Sequence, residues 1–141
     1  MLTNIWEEIK TMNATATGIG ITRLGQIQIR TYDVERAATF YENVLGLKLL
    51  FKAPPGLAFF DCGGVRLMLD RPDKQEFDHA SSILYFAVPD IKAAHERMKE
   101  SGVRFEDEPH LLVKMPTHDL WMTFFRDSED NLLALMSEVA K

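Results

Sequence analysis

The residues best suited to acid–base chemistry in this chain are its four histidines, His79, His95, His110 and His118. His118 is the strongest of them, because Asp119 follows it and a carboxylate that orients an imidazole makes a general base. A second reading stands beside that one. Neighbours along a strand point to opposite faces, so Asp119 need not touch His118. A loop histidine bonded to backbone then accounts for it. His110 and His118 lie in one stretch between strands, where two imidazoles could also approach a metal. His95 falls on a helix beside Ala94, and His79 lies in a linker. Cys62 is the single cysteine, and its only basic neighbour is Arg66. No Cys-His or Ser-His-Asp set is legible. Gly63-Gly64 leads into a strand rather than a helix, so it reads as a hairpin turn and not a phosphate loop.

Binding chemistry is easier to read than catalysis. Gln26, Gln28 and Arg30 alternate with Ile27 and Ile29. Arg66, Met68 and Asp70 alternate in the same way with Val65, Leu67 and Leu69. A strand with that period packs its apolar face inward and shows the polar one. Further on, Ile83, Tyr85 and Ala87, then Leu132, Ala134 and Met136, make a mostly apolar counterpart. One polar and one apolar wall suit a small amphipathic molecule. The plainer alternative has Arg30 and Arg66 solvated or paired with Asp70, and the apolar wall as core. Trp121, Phe124 and Phe125 read as sheet core, with Trp121 also able to line a cavity.

The elements that carry these residues are one unit written twice. Adding 57 takes Asp33 to Asp90, Val34 to Ile91 and Ala37 to Ala94. Each copy opens with a strand. Asp33 or Asp90 then caps a helix, and a glycine, Gly46 or Gly102, closes it. The first helix has a stripe of Val34, Ala37, Ala38, Tyr41 and Leu45; the second has Ile91, Ala94 and Met98. Three strands follow in each copy, expected at 47–51, 57–61 and 65–70, then at 103–106, 121–126 and 132–137. Pro54-Pro55-Gly56, Gly63-Gly64 and 127–131 supply turns. Residues 107–119 read as a longer loop. The order is β-α-β-β-β, twice. Two copies are too few for a solenoid, so they make one domain of two halves.

The domain is expected over 23–141, with module one at 24–72 and module two at 80–138. The charged segment 71–80 joins the modules, each too small for much core of its own. Residues 1–22 stand outside the repeat, as a tail or a short helix on Leu2, Ile5, Trp6 and Ile9. The 141 residues are 46% apolar and 26% charged, which is the globular norm. A net charge of −5 with no basic run argues against nucleic acid and against an anionic membrane surface. No apolar stretch is long enough for a membrane span, and the N-terminus lacks a signal-like core. A lone cysteine fits a cytoplasmic setting.

Several of these motifs carry a family resemblance. They are 33–41 (Asp-Val-Glu-Arg-Ala-Ala-Thr-Phe-Tyr), 44–47 (Val-Leu-Gly-Leu), 63–69 and 125–133. Over about 24–138 the chain resembles the vicinal oxygen chelate superfamily of glyoxalase I, bleomycin-resistance proteins and extradiol dioxygenases. The resemblance implies an α+β fold in which two βαβββ modules form a curved mixed sheet around a cavity. It also implies four metal positions, one on the first and one on the last strand of each half, usually His, Glu or Gln. Here they fall on Gln26, Met68, Ile83 (26 + 57) and Ala134 (68 + 66). One amide oxygen and one thioether do not make a site for a hard or borderline divalent ion. The expectation is therefore a protein with no cofactor, a divalent metal being disfavoured. It binds a small organic molecule through Gln26, Gln28, Arg30, Arg66, Met68, Tyr85, Trp121 and Ala134. The alternative is a lyase or isomerase of the glyoxalase I type, metal-dependent or using His118 as acid and base. A homodimer is the expected assembly, as in many relatives.

Overall fold

The computed structural model describes residues 18–141. The amphipathic pattern read at Leu2–Ile9 therefore lies outside the described residues. Module one contains β1 (Gln26–Arg30), α1 (Val34–Thr39), β2 (Lys48–Ala53), β3 (Leu57–Cys62) and β4 (Val65–Asp70). Module two contains β5 (Leu84–Ala87), α2 (Ile91–Glu100), β6 (Arg104–Phe105), β7 (His110–Lys114), β8 (His118–Arg126) and β9 (Leu132–Ala140). The first sheet runs β1-β4-β3-β2 and the second β5-β9-β8-β6. Under the internal repeat these are the same order. In each sheet the first strand lies parallel to the last and at an edge. The fold is α+β with two curved sheets.

Local chemistry explains the shared plan. Asp33 accepts from the Arg36 N–H at 3.0 Å, and Asp90 from the Ala93 N–H at 3.1 Å. These side chains satisfy amides that a helix start leaves unpaired. Gly46 (φ 73°) and Gly102 (φ 88°) follow the helical segments in the left-handed conformation that glycine adopts at little cost. After Thr39 the first helix widens into a π turn, Phe40–Val44, with the Leu45 N–H reaching Phe40 O at 3.1 Å. That turn drives Tyr41 fully into the core.

Module two departs from the expected order at one place. The stretch 107–119 holds a strand, not a long loop. β7 pairs antiparallel with β8, and a tight turn closes with the Met115 N–H on His118 O at 2.8 Å. The cause is Leu111-Leu112-Val113, an apolar run ending in a β-branched residue that the histidines and Pro116 obscure. The module is thus β-α-β-β-β-β. β8 begins at His118 rather than at 121, β6 shrinks to two residues, and Ile83 precedes β5.

The two sheets share one core. Ile29, Phe60, Leu67 and Leu69 of the first pack with α1 and Tyr41. Phe125, Leu133 and Leu135 of the second join the same cluster with Ile91 and Met98 of α2. Each sheet therefore turns its helix-bearing side toward the common core. The alternate residues on every strand point the other way, so the two remaining faces look outward.

The turn between β8 and β9 fastens the modules. Asp127 is buried and accepts from Tyr41 Oη at 2.7 Å and from the Glu129 and Asn131 N–H groups at 2.8 Å each. Asn131 Nδ2 donates to Arg30 O at 2.8 Å. Glu129, also buried, accepts from the Tyr32 and Asp33 N–H groups and from Arg36 Nε, each at 2.8 Å.

Candidate functional site

The outward face of the first sheet gathers most of the residues expected to bind. β1 and β4 are in parallel register, with Gln26 beside Arg66, Gln28 beside Met68 and Arg30 beside Asp70. All six share one face. Gln26 Oε1 accepts from Arg66 Nε at 2.7 Å, and Gln26 Nε2 sits 3.6 Å from Met68 Sδ. Gln28 Nε2 donates to Asp70 at 2.9 Å. Burial pushes the Asp70 carboxyl above its ordinary range, Asp73 adds to this, and the Gln28 bond offsets part of it. Arg30 lies 3.5 Å from Asp78 and 5.6 Å from the Tyr32 ring. The pairing of Arg30 or Arg66 with Asp70 therefore does not form; Gln28 takes Asp70 instead.

Sequence patterning missed two aromatic residues on this face. Phe59 is the register partner of Met68, and Phe51 pairs with Phe59 across a bulge. Their rings stack at 4.5 Å, and the Arg66 guanidinium lies 5.2 Å over Phe59. Phe59-Phe60 is a doublet, so its period does not say which ring faces out; the strand register decides it.

The outward face of the second sheet is apolar. Tyr85 is paired with Ala134, and Ala134 with Phe124. The Tyr85 and Phe124 rings meet edge-on at 6.0 Å. Met122, Met136 and Leu120 extend this face along β8 and β9. Tyr85 is 46% exposed, whereas Ala134 is buried within the sheet. Trp121 is not with them. It points to the helix side, beneath Lys92 at 5.0 Å, because odd positions of β8 face the core.

His118 is on the apolar face, at the hairpin end of β8. Its Nδ1 lies 3.0 Å from Thr117 Oγ1, and its Nε2 3.6 Å from Glu138 Oε2. That Nε2 is buried and has no hydrogen-bond partner among the described residues. The carboxylate beside His118 is Glu138, across the ladder. Asp119 faces the other way, 3.5 Å from Lys141 Nζ. His110 Nδ1 is held to Glu108 O at 2.9 Å. His95 is buried against Phe105, with ring centroids 4.2 Å apart. The histidines do not converge, and among the described residues no group of three or more His, Cys, Asp or Glu is placed to hold a metal.

A separate cleft of about 850 Å³ lies at the module seam, between the Asn43–Leu47 turn, β5 and α2. Of the expected site residues only Tyr85 reaches it. Cys62 lines it, and burial raises its thiol pKa, with Asp61 adding to the effect. Asn43, Asp90, Arg97 and Ser101 stand among its apolar lining; Asp90 is engaged by the Ala93 N–H and Ser101 by Arg97 O.

With this geometry in view, the family follows. The Glyoxalase/Bleomycin resistance protein/Dioxygenase superfamily model matches residues 23–135. The chain belongs to this superfamily. A glyoxylase-like domain-containing protein of Didymella fabae is 29% identical over 135 residues, covering 84% of this chain and 96% of that protein. TnmS3, an antibiotic binding protein from Streptomyces sp. CB03234, superposes with a TM-score of 0.69 at 21% identity, over 86% of this chain and 99% of its own. Lactoylglutathione lyase from Agrobacterium tumefaciens gives 0.68 at 19% identity, over 83% and 94%. At these identities the two structures speak for the fold alone.

Within the superfamily plan, the four metal positions of this member can be tested as a donor set. Gln26 has its amide oxygen occupied by Arg66 and its amide nitrogen turned to Met68. Ile83 and Ala134 carry no donor atom. These residues do not fit a divalent metal, which needs three or four oxygen, nitrogen or thiolate ligands.

Proposed function

We propose that this protein binds a small amphipathic organic molecule, without a metal, between the first-sheet face of one copy and the second-sheet face of another. The observation that carries this reading is the back-to-back packing of the sheets. It sends the polar face of Gln26, Gln28 and Arg66 and the apolar face of Tyr85 and Phe124 outward, away from each other. A second copy lets the two faces meet, which makes the protein a homodimer with composite sites. An antibiotic binding protein and a lyase share this fold about equally well, so the binding role rests on the chemistry of the two faces and not on the likeness. Among the described residues no helix is long and apolar enough to cross a membrane, and a cytoplasmic setting remains part of the proposal.

A thermal-shift screen of a few hundred planar and amphipathic compounds tests the reading. A ligand that binds N but not U raises the melting temperature in a dose-dependent way. The expected hits lose their effect in Phe124→Asp and in Gln26→Ala. Hits that survive both substitutions, or a screen with none, count against it. The lyase alternative rests on His118, whose Nε2 lacks a partner beside Glu138. Turnover of the methylglyoxal–glutathione adduct that disappears in His118→Ala would favour that alternative.

A further inference from the structure

The first-sheet face has a specific chemistry within its general polarity. Phe51 and Phe59 stack with 25° between their planes, forming an aromatic ledge whose open ring is Phe51, 47% exposed, whereas Phe59 is buried at 8%. Arg66 lies along this ledge, its guanidinium over Phe59 and its Nε held by Gln26 Oε1 at 2.7 Å. That bond fixes the plane of the fork and uses one of its five donors. The acids around Arg66 are engaged elsewhere. Asp61, its register partner across β3, accepts from the Gly64 N–H at 3.2 Å. Asp70 accepts from Gln28. Among the described residues no carboxylate lies within 4.0 Å of the Arg66 guanidinium. Arg30, on the same face, is instead close to Asp78.

An oriented guanidinium with unused Nη donors, set beside an aromatic surface, matches one ligand chemistry. Planar rings stack on rings with a gain beyond their buried area. A carboxylate accepts two parallel N–H groups from the guanidinium edge. We infer that the ligand is a planar aromatic acid, its ring against the exposed Phe51 side of the ledge and its anionic oxygens on Arg66 Nη1 and Nη2. Resting on the binding role proposed above, this names the ligand class and Arg66 as the residue that selects it.

The test compares 2-naphthoic acid with 2-naphthalenemethanol by titration calorimetry. The two share their rings and differ in charge. The acid is expected to bind roughly tenfold more tightly, the scale of a charge-assisted pair. Arg66→Gln is expected to remove that preference, and Arg66→Lys to retain part of it, because the charge stays and the fork is lost. Phe51→Ala is expected to weaken both compounds. Equal binding of acid and alcohol to the wild-type protein overturns the inference and leaves the binding role standing. So does a preference that survives Arg66→Gln. If neither compound binds at millimolar concentration, the inference also falls, and the library screen alone then decides the binding role.

Discussion

Glu129 shows how one carboxylate can tie two modules together. Burial alone would raise its pKa. Arg36, the Asp33 and Tyr32 amides and Ser128 all donate to it, and together they outweigh burial and hold it at about 2 against an ordinary 4.5. The folded state therefore binds this proton less readily than the unfolded chain does. The stabilisation is complete above the unfolded pKa of 4.5 and is lost as pH falls from there toward 2. Urea midpoints are expected to drop across that window in the wild-type protein. Glu129→Gln is expected to flatten the drop and to cost roughly 1.5–3 kcal/mol at pH 7, the range for hydrogen bonds to a charged group. A wild-type profile that is flat from pH 5 to 2.5 would exclude this account. The residue was not legible in advance. In sequence Glu129 belongs to a polar turn, and its partners in module one lie more than 90 positions away. By contrast Gln26, Gln28, Arg66 and Met68 were legible as one face, because a period of two in adjacent strands survives any parallel pairing that keeps the register.

At the scale of elements, the repeat was legible because helix caps and glycine stops are local chemistry. Asp33 and Asp90 do the same work 57 positions apart, as do Gly46 and Gly102. Removing a cap side chain leaves helix amides unpaired, so Asp90→Ala is expected to lower stability by about 1 kcal/mol. Chemical denaturation measures it, and Asp90→Asn, which caps as well, is expected to restore most of the loss. An Asp90→Ala protein as stable as wild type would mean that the cap bond contributes nothing. The β7–β8 hairpin was harder to read. Its apolar run sits among charged and histidine residues, and β7 has a bulge between Leu111 and Val113 that breaks the alternation. Trp121 shows the same difficulty. Its face depends on where β8 begins, and β8 begins three residues earlier than the apolar run suggests.

For the whole molecule, two modules around one core were foreseeable, since neither half has enough apolar surface alone. Which sides of the sheets meet was not, because alternation marks two faces without saying which one finds the other module. In the fold the helix-bearing sides meet, and the candidate binding faces lie outside. Light scattering after size exclusion is expected to give twice the 16.1 kDa chain mass. Phe124→Asp, which places a charge on the apolar face, is expected to shift the protein toward the monomer. A wild-type monomer at 100 μM would separate the two faces permanently and remove the composite site.

The outward placement of unlike faces has a consequence for assembly geometry. A chain that carries one half of the proposed pocket on each of two opposite sides completes that pocket only with another copy. Two copies related by a twofold axis satisfy both halves at once and leave nothing to extend, whereas a simple head-to-tail repeat would grow into a filament. Closure thus decides between a finite pair and an open polymer. It also couples the two pockets of that pair, since a molecule seated in either one draws the same two chains together. For the proposed dimer, occupancy is expected to rise more steeply with protein concentration than a single-chain pocket would allow, and dilution below the dimer constant is expected to release the ligand.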